Sequence, residues 1–161
     1  MNEKTTFAAG CFWHVEDSFC KINGIVSTTV GYTGGHMRNP SYEDVCTDTT
    51  KHAEAVLVEY DPAKISYKQL LETFWDLHDP TTRNRQGPDV GTQYRSAIFY
   101  HNKEQREEAL ASKERQQESG RYGGREIVTE IVPAAEFYRA EEYHQKYFRK
   151  RGRFACRVCA P

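Results

Sequence analysis

The sequence predicts an α+β fold in which helices cover one face of a mostly antiparallel sheet. Short β-branched runs alternate with segments whose apolar residues recur every three and four positions, which are the strand and helix signatures. Gly, Pro, Asn and Asp punctuate the joins. The resulting order, β-α-β-β-α-β and then α-β-α, begins as a split βαβ unit.

Thr5 to Ala9 is uncharged and reads as a strand. Gly10 is a tight turn, and Phe12, Val15, Glu16, Phe19 and Ile22 have helical spacing. Asn23-Gly24 turns the chain into a strand from Ile25 to Tyr32. Residues 33–51 form a long polar loop, and loops of that length usually carry function. His52 to Tyr60 is the next strand, ending at Asp61-Pro62, with Ala53, Ala55, Leu57 and Glu59 on one face and Glu54, Val56, Val58 and Tyr60 on the other. Ser66 caps a helix whose apolar stripe is Leu70, Leu71, Phe74, Trp75 and Leu77.

A second long loop runs from Thr81 to Gln93, followed by a strand from Tyr94 to Tyr100. Asn102 to Ser119 is a charged surface helix with Ala109 and Leu110 as its apolar anchors and Gly120 as its stop. Glu126 to Val132 alternates as a strand, and Ala135 to Lys150 reads as a final helix. Residues 151–161 are expected to be a flexible tail. The first six elements make a ferredoxin-like split β-α-β core, a two-layer α/β sandwich to which the later helix and strand are added.

At 161 residues the chain is expected to be a single catalytic domain with a core of its own. A net charge of -1 gives no pull toward nucleic acid or an anionic membrane. Its apolar runs are too short to span a bilayer, and Met1-Asn2-Glu3-Lys4 lacks the marks of a secretion signal, so a cytoplasmic location is expected. Five cysteines, an odd number, argue for reduced thiols over a disulfide framework.

Cys11 stands between a strand and a helix, at a helix N-terminus, where unpaired N–H groups and the helix dipole favour a thiolate. It is either a nucleophile or one more small buried residue. Glu54 shares its face with Val56 and Val58. If buried there it would hold a proton near neutral pH, and if the strand lies at an edge it would be an ordinary exposed carboxylate. Tyr42, Tyr94 and Asp89 sit in or beside the long loops, and nothing in the pattern separates these two from the other tyrosines of the ten present. Cys156-Arg157-Val158-Cys159 suits attack on an oxidised thiol; as half of a zinc site it lacks a second ligand pair.

Gly10-Cys11-Phe12-Trp13, followed by Val15-Glu16, resembles the signature of the A-type peptide methionine sulfoxide reductases. Gly31-Tyr32-Thr33-Gly34-Gly35, Pro40-Ser41-Tyr42, His52-Ala53-Glu54-Ala55-Val56, His78-Asp79-Pro80, Arg85-Gln86-Gly87, Gly91-Thr92-Gln93-Tyr94-Arg95-Ser96 and His144-Gln145 resemble further blocks in that family's order. The resemblance implies that Cys11 attacks the sulfoxide sulfur while Glu54, helped by Tyr42 and Tyr94, protonates the sulfoxide oxygen. Phe12 and Trp13 would hold the S-methyl group and Asp89 would orient the substrate.

It also implies reduction of the S epimer, free or in proteins and peptides, leaving a sulfenic acid on Cys11. Cys156 would be the first resolving cysteine and Cys159 the relay, with thioredoxin or dithiothreitol as external reductant. No bound cofactor or metal, no nucleic-acid partner, no membrane and a monomer are expected. His14 stands where the family usually has Gly, Lys51 where Gly often precedes His52, and the tail lacks the usual Gly-Tyr before its cysteine.

Overall fold

A computed structural model describes residues 1–151. The chain runs β1 (Glu3–Ala9), α1 (Phe12–Cys20), β2 (Ile25–Thr33), α2 (Tyr42–Cys46), β3 (Ala53–Tyr60), α3 (Tyr67–Asp76), β4 (Arg85–Gln86), β5 (Asp89–Val90), β6 (Ser96–Tyr100), α4 (Lys103–Glu118), β7 (Glu130–Pro133), β8 (Phe137–Arg139) and α5 (Tyr147–Arg151). The main sheet has the order β7-β6-β1-β3-β2-β8. Each of its four inner strands, β6-β1-β3-β2, is antiparallel to its neighbour among them, as a split βαβ unit requires. The second sheet is the β4/β5 hairpin.

Period-two alternation fixes which side chains meet. Phe7 lies opposite Val56 on β3 and Ile98 on β6, and its ring stacks between Phe19 of α1 at 5.0 Å and Phe74 of α3 at 5.2 Å. Val56, Val58 and Tyr60 point into this helix-covered core as the alternation predicts. The opposite face is built of Ala8, Ala53, Ala55 and Ala97 with Phe99. These small side chains let the loop after β2 lie close, with Gly34 against the Phe99 ring.

Side-chain caps open two helices, the one at Ser66 as expected. The Ser66 hydroxyl accepts from the Gln69 N–H and the Gln69 side chain accepts from the Ser66 N–H, while Asn102 accepts from the Gln105 N–H at the head of α4.

Several expectations are corrected. The loop of residues 33–51 contains α2, opened by a capping box between Ser41 and Asp44. The loop of residues 81–93 contains the β4/β5 hairpin around Gly87, and the strand expected from Tyr94 begins at Ser96 because Thr92–Tyr94 forms a 3-10 turn. Leu110 is 43% exposed and anchors nothing; α4 rests on Ala109 and on Ser112, whose hydroxyl accepts from the Trp75 indole at 2.8 Å. Of the strand expected from Glu126 to Val132 only Glu130–Pro133 pairs, parallel to β6, because the Val128 N–H is drawn off to the Pro80 carbonyl.

The final helix expected over Ala135 to Lys150 is absent. That segment forms β8, a 3-10 turn at Glu142–His144 and the short α5. Arg151, assigned in the sequence to the tail, closes α5.

Side-chain bonds hold this segment in place of a helical ladder. The Gln145 amide accepts from the Val30 N–H at 3.0 Å and donates to the Val30 and Ala140 carbonyls at 2.9 Å each, standing in for a strand at the edge of β2. One residue on, Lys146 adopts a left-handed φ of 52°. Its backbone N–H and ammonium both donate to the buried Glu16 carboxylate, at 2.7 and 2.8 Å. The Val30 carbonyl keeps the Ala140 N–H at 3.0 Å, so replacing Gln145 by Ala strands two buried backbone groups, the Val30 N–H and the Ala140 carbonyl, at about 1–3 kcal/mol each before relaxation. Gln145→Ala is expected to lose about 3 kcal/mol in urea unfolding and to alter Trp13 fluorescence; a loss under about 0.5 kcal/mol would show that the amide does not hold the segment.

Candidate active site

The turn from β1 into α1 decides where the thiol sits. Gly10 has a φ of 100°, and a Cβ there would lie 2.8 Å from Gln86 Cγ, so both conformation and space require glycine. Gln86 is itself fixed by two bonds to the Asp79 backbone, at 3.0 and 2.8 Å. Cys11 then takes the N-cap position of α1, its carbonyl accepting from His14 and Val15.

Helix starts leave N–H groups unpaired, and here the Phe12 N–H donates to Glu54 Oε1 at 3.2 Å. Gln93 Nε2 donates to the other oxygen, Oε2, at 2.7 Å. The Glu54 side chain therefore lies under the first turn of α1, only 1% exposed. Burial raises its pKa to about 7; the two hydrogen bonds oppose the shift and the Asp89 charge adds to it.

The long loops bring in the tyrosines. Asp48 accepts from the backbone N–H of Thr92 at 2.9 Å and from its hydroxyl, tying one loop to the other. The Tyr42 N–H donates to Glu141 Oε2 at 2.8 Å, and Glu141 Oε1 accepts from the Tyr32 hydroxyl. Burial, and then the Glu54 charge, push the phenols of Tyr42 and Tyr94 well above the usual value, so both remain hydrogen-bond donors.

Cys11, Phe12, Trp13, Tyr42, Glu54, Asp89 and Tyr94 together line one cavity of about 200 Å³. These are all the expected site residues within the described part of the chain; Cys156 and Cys159 lie outside the described residues. Trp13 is pinned as a wall. Its ring stacks on Tyr147 at 3.7 Å, and its indole N–H donates to His144 Nδ1 at 3.0 Å. Burial lowers the pKa of His144, and the accepting Nδ1 puts its ring proton on Nε2.

Gln93, His144 and Tyr147 were not assigned roles from sequence. The first two lie in blocks that resemble the family, whereas Tyr147 carries no signal because its partner Trp13 is far away along the chain. At Cys11 burial and charge work against the thiolate that the helix start favours. Burial and then the Glu54 charge push its pKa up to about 12, and the N–H groups of Trp13 and His14 offset only part of that.

A cysteine hydrolase would pair Cys11 with His14 or His52; the His52 ring is engaged elsewhere, accepting from the Gly35 N–H and bonding the Met37 carbonyl. Among the described residues no group of three or more His, Cys, Asp or Glu side chains is placed to hold a metal ion. None of the described helices is long and apolar enough to cross a membrane.

A thiol and a buried, protonatable carboxyl facing one small cavity define a cysteine-dependent redox enzyme on an α+β scaffold. The family model described as peptide methionine sulfoxide reductase matches residues 3–160. Peptide methionine sulfoxide reductase MsrA of Methanosarcina acetivorans is 62% identical over 150 residues, covering 93% of this chain and 79% of that protein. Among solved structures, methionine sulfoxide reductase A of Corynebacterium diphtheriae matches with a TM-score of 0.89 at 39% identity, covering 92% of this chain and 74% of that one. Mxr1 of Saccharomyces cerevisiae in complex with Trx2 matches with a TM-score of 0.65 at 31% identity, covering 91% and 84%. The chain belongs to the peptide methionine sulfoxide reductase family and is an oxidoreductase that reduces methionine sulfoxide with thiols.

The raised Glu54 pKa has a signed consequence for stability. The folded state holds this proton longer than the unfolded chain, so the contribution is full below about pH 4.5 and is lost as pH rises through about 7. Glu54→Gln carries no titration, and a flipped Gln93 amide can keep the second hydrogen bond. Urea unfolding from pH 4 to 8 is expected to show the variant gaining on wild type by on the order of 3 kcal/mol. Parallel pH profiles for the two proteins would mean that Glu54 is not held in its neutral form.

Proposed function

We propose that Cys11 Sγ attacks the sulfoxide sulfur while the protonated Glu54 carboxyl delivers its proton to the sulfoxide oxygen, with the hydroxyls of Tyr42 and Tyr94 donating to the same oxygen. A sulfoxide oxygen is a poor leaving group until protonated, which is why the acid has to be neutral near working pH. The thiol proton of Cys11 replaces the one that Glu54 delivers, so the balance is thiol plus sulfoxide giving sulfenic acid plus thioether. The methionine sulfur gains two electrons and the oxygen ends on Cys11.

The observation that carries this reading is the cavity shared by Cys11 and Glu54, with the Glu54 pKa raised to about 7. With Glu54 protonated, the charge that disfavours a Cys11 thiolate is gone, so the two halves of the step assist one another. Phe12 and the stacked Trp13 supply an apolar wall for the S-methyl group, and Asp89 at the rim orients the substrate.

The finer parts of the function rest on the family. The substrate is the S epimer, as free methionine sulfoxide and in oxidised proteins and peptides. Cys156 resolves the Cys11 sulfenic acid as a disulfide and Cys159 relays it. A thioredoxin then reduces the enzyme, a reading supported by the complex of Mxr1 with Trx2. The enzyme works as a monomeric single domain in the cytoplasm, without a bound cofactor.

Single-turnover release of methionine under reductant, run with each sulfoxide epimer on wild type and Glu54→Gln, tests the chemistry. Only the S epimer is expected to turn over. In wild type the rate should fall as pH rises above about 7, and Glu54→Gln should be slower by about 10²–10⁴-fold. Equal rates for both epimers, or a Glu54→Gln variant as fast as wild type, would remove the acid-assisted mechanism.

A further inference from the structure

In the proposed chemistry Glu54 reaches the substrate oxygen from a central strand and Tyr42 reaches it from a loop. Glu54 is fixed by β3 and by its two hydrogen bonds. Tyr42 opens α2, a five-residue helix set within the loop of residues 33–51. A hydrogen bond aimed at a developing charge tolerates little misplacement, so the loop donor has to be held in register with the strand that carries the acid.

Tyr32 and Glu141 make that connection. Tyr32 is the residue of β2 paired directly with Glu54 of β3, so the two side chains leave the same face of the sheet. The Tyr32 ring is fully buried and packs against Phe12, 5.7 Å between centroids. Its hydroxyl donates to Glu141 Oε1 at 2.8 Å, and Glu141 Oε2 accepts from the Tyr42 N–H at 2.8 Å. One carboxylate thus bridges a side chain of the β2/β3 pair and the backbone of the residue that bears the phenol.

Glu141 is anchored on the sheet without help from α2. Before it, the Ala140 N–H donates to the Val30 carbonyl at 3.0 Å; after it, the Gln145 amide bonds Val30 and Ala140. Burial would raise the Glu141 pKa, but the Tyr42 N–H, its own backbone N–H and the Tyr32 hydroxyl outweigh this and hold it below the usual carboxylate value. The carboxylate therefore stays charged and accepts both bonds. Burial and the bond to Glu141 raise the pKa of the Tyr32 phenol, which remains a donor. Neither residue lines the cavity, and the sulfoxide chemistry leaves both without a role.

We infer that Tyr32 and Glu141 are positioning residues for Tyr42, their bridge from β2 setting where the Tyr42 hydroxyl meets the substrate oxygen, an assignment that rests on the proposed role of Tyr42 as a donor to that oxygen. Bonds to an ionised carboxylate are short and directional, so the bridge carries the position of the sheet into the loop. Its loss leaves the acid, the thiol and the S-methyl wall in place and displaces one hydrogen-bond donor.

Single-turnover methionine release from the S epimer, under reductant and over a range of substrate concentrations, tests the bridge. Tyr42→Phe and Glu141→Ala are each expected to slow the saturating rate about tenfold or more, with the half-saturating concentration within about twofold of wild type. In Glu141→Gln the amide oxygen can accept from the Tyr42 N–H while its nitrogen donates to the Tyr32 oxygen, so the rate should return to within about threefold of wild type. Adding Glu141→Ala to Tyr42→Phe should slow the enzyme by less than about twofold further, because no hydroxyl is left to place. If Glu141→Ala does not fold, Tyr32→Phe takes its place in the same cycle and is read by the same criteria.

Losses that multiply in the double variant, or a single variant of the bridge as fast as wild type, overturn the bridge and leave the role of Tyr42 standing. A raised half-saturating concentration at an unchanged saturating rate also overturns it, since that marks lost substrate binding. If Tyr42→Phe turns over as fast as wild type, the reading of Tyr42 as a donor fails and the bridge with it.

Discussion

The buried carboxyl of Glu54, accepting from the Phe12 N–H and the Gln93 amide, is the interaction on which the rest of the site depends. It joins the end of a central strand to the first turn of α1, and so sets how far Cys11 stands from the acid. A carboxylate at that depth would ordinarily be expelled or paired with a cation. Here it receives only neutral donors, which orient it without fully stabilising its charge. Structural order and proton affinity thus come from the same two hydrogen bonds.

The site is built to carry little negative charge. Cys11, Glu54 and Asp89 all border a space of about 200 Å³, and the charge of Glu54 raises the affinity of Cys11 for its proton, as Asp89 does for both. A resting thiol is inert toward most electrophiles. Reactivity arises while Glu54 holds its proton, because the repulsion on the sulfur is then absent and the proton is at hand for the substrate oxygen. The helix start is one favourable term among several and does not decide the thiol's state alone.

Much of this was legible in the sequence where local rules and burial agree. The alternation along β3 placed Glu54 on the core face, and the Ser66 cap marked the start of α3. The final segment was misread because Ala, Glu, Tyr and Gln favour a helix locally, while Gln145 and Lys146 spend their side chains on Val30 and Glu16 more than a hundred positions away. Leu110 misled because a helix charged on every side can dock through Ala109 and a serine hydroxyl. Tyr42 and Tyr94 were named by family resemblance alone. Their proximity depends on a bond between Asp48 and Thr92 that no periodicity encodes.

The side chain of Gln145 completes the rim of the sheet. β8 covers β2 only from Gly31 to Thr33, and the amide of Gln145 occupies both hydrogen-bonding groups of Val30 just beyond. That stretch of β2 is thereby closed to a strand from another molecule, and strand addition of that kind is a route by which sheet proteins aggregate. One glutamine side chain thus does at this rim what a ninth strand would otherwise have to do.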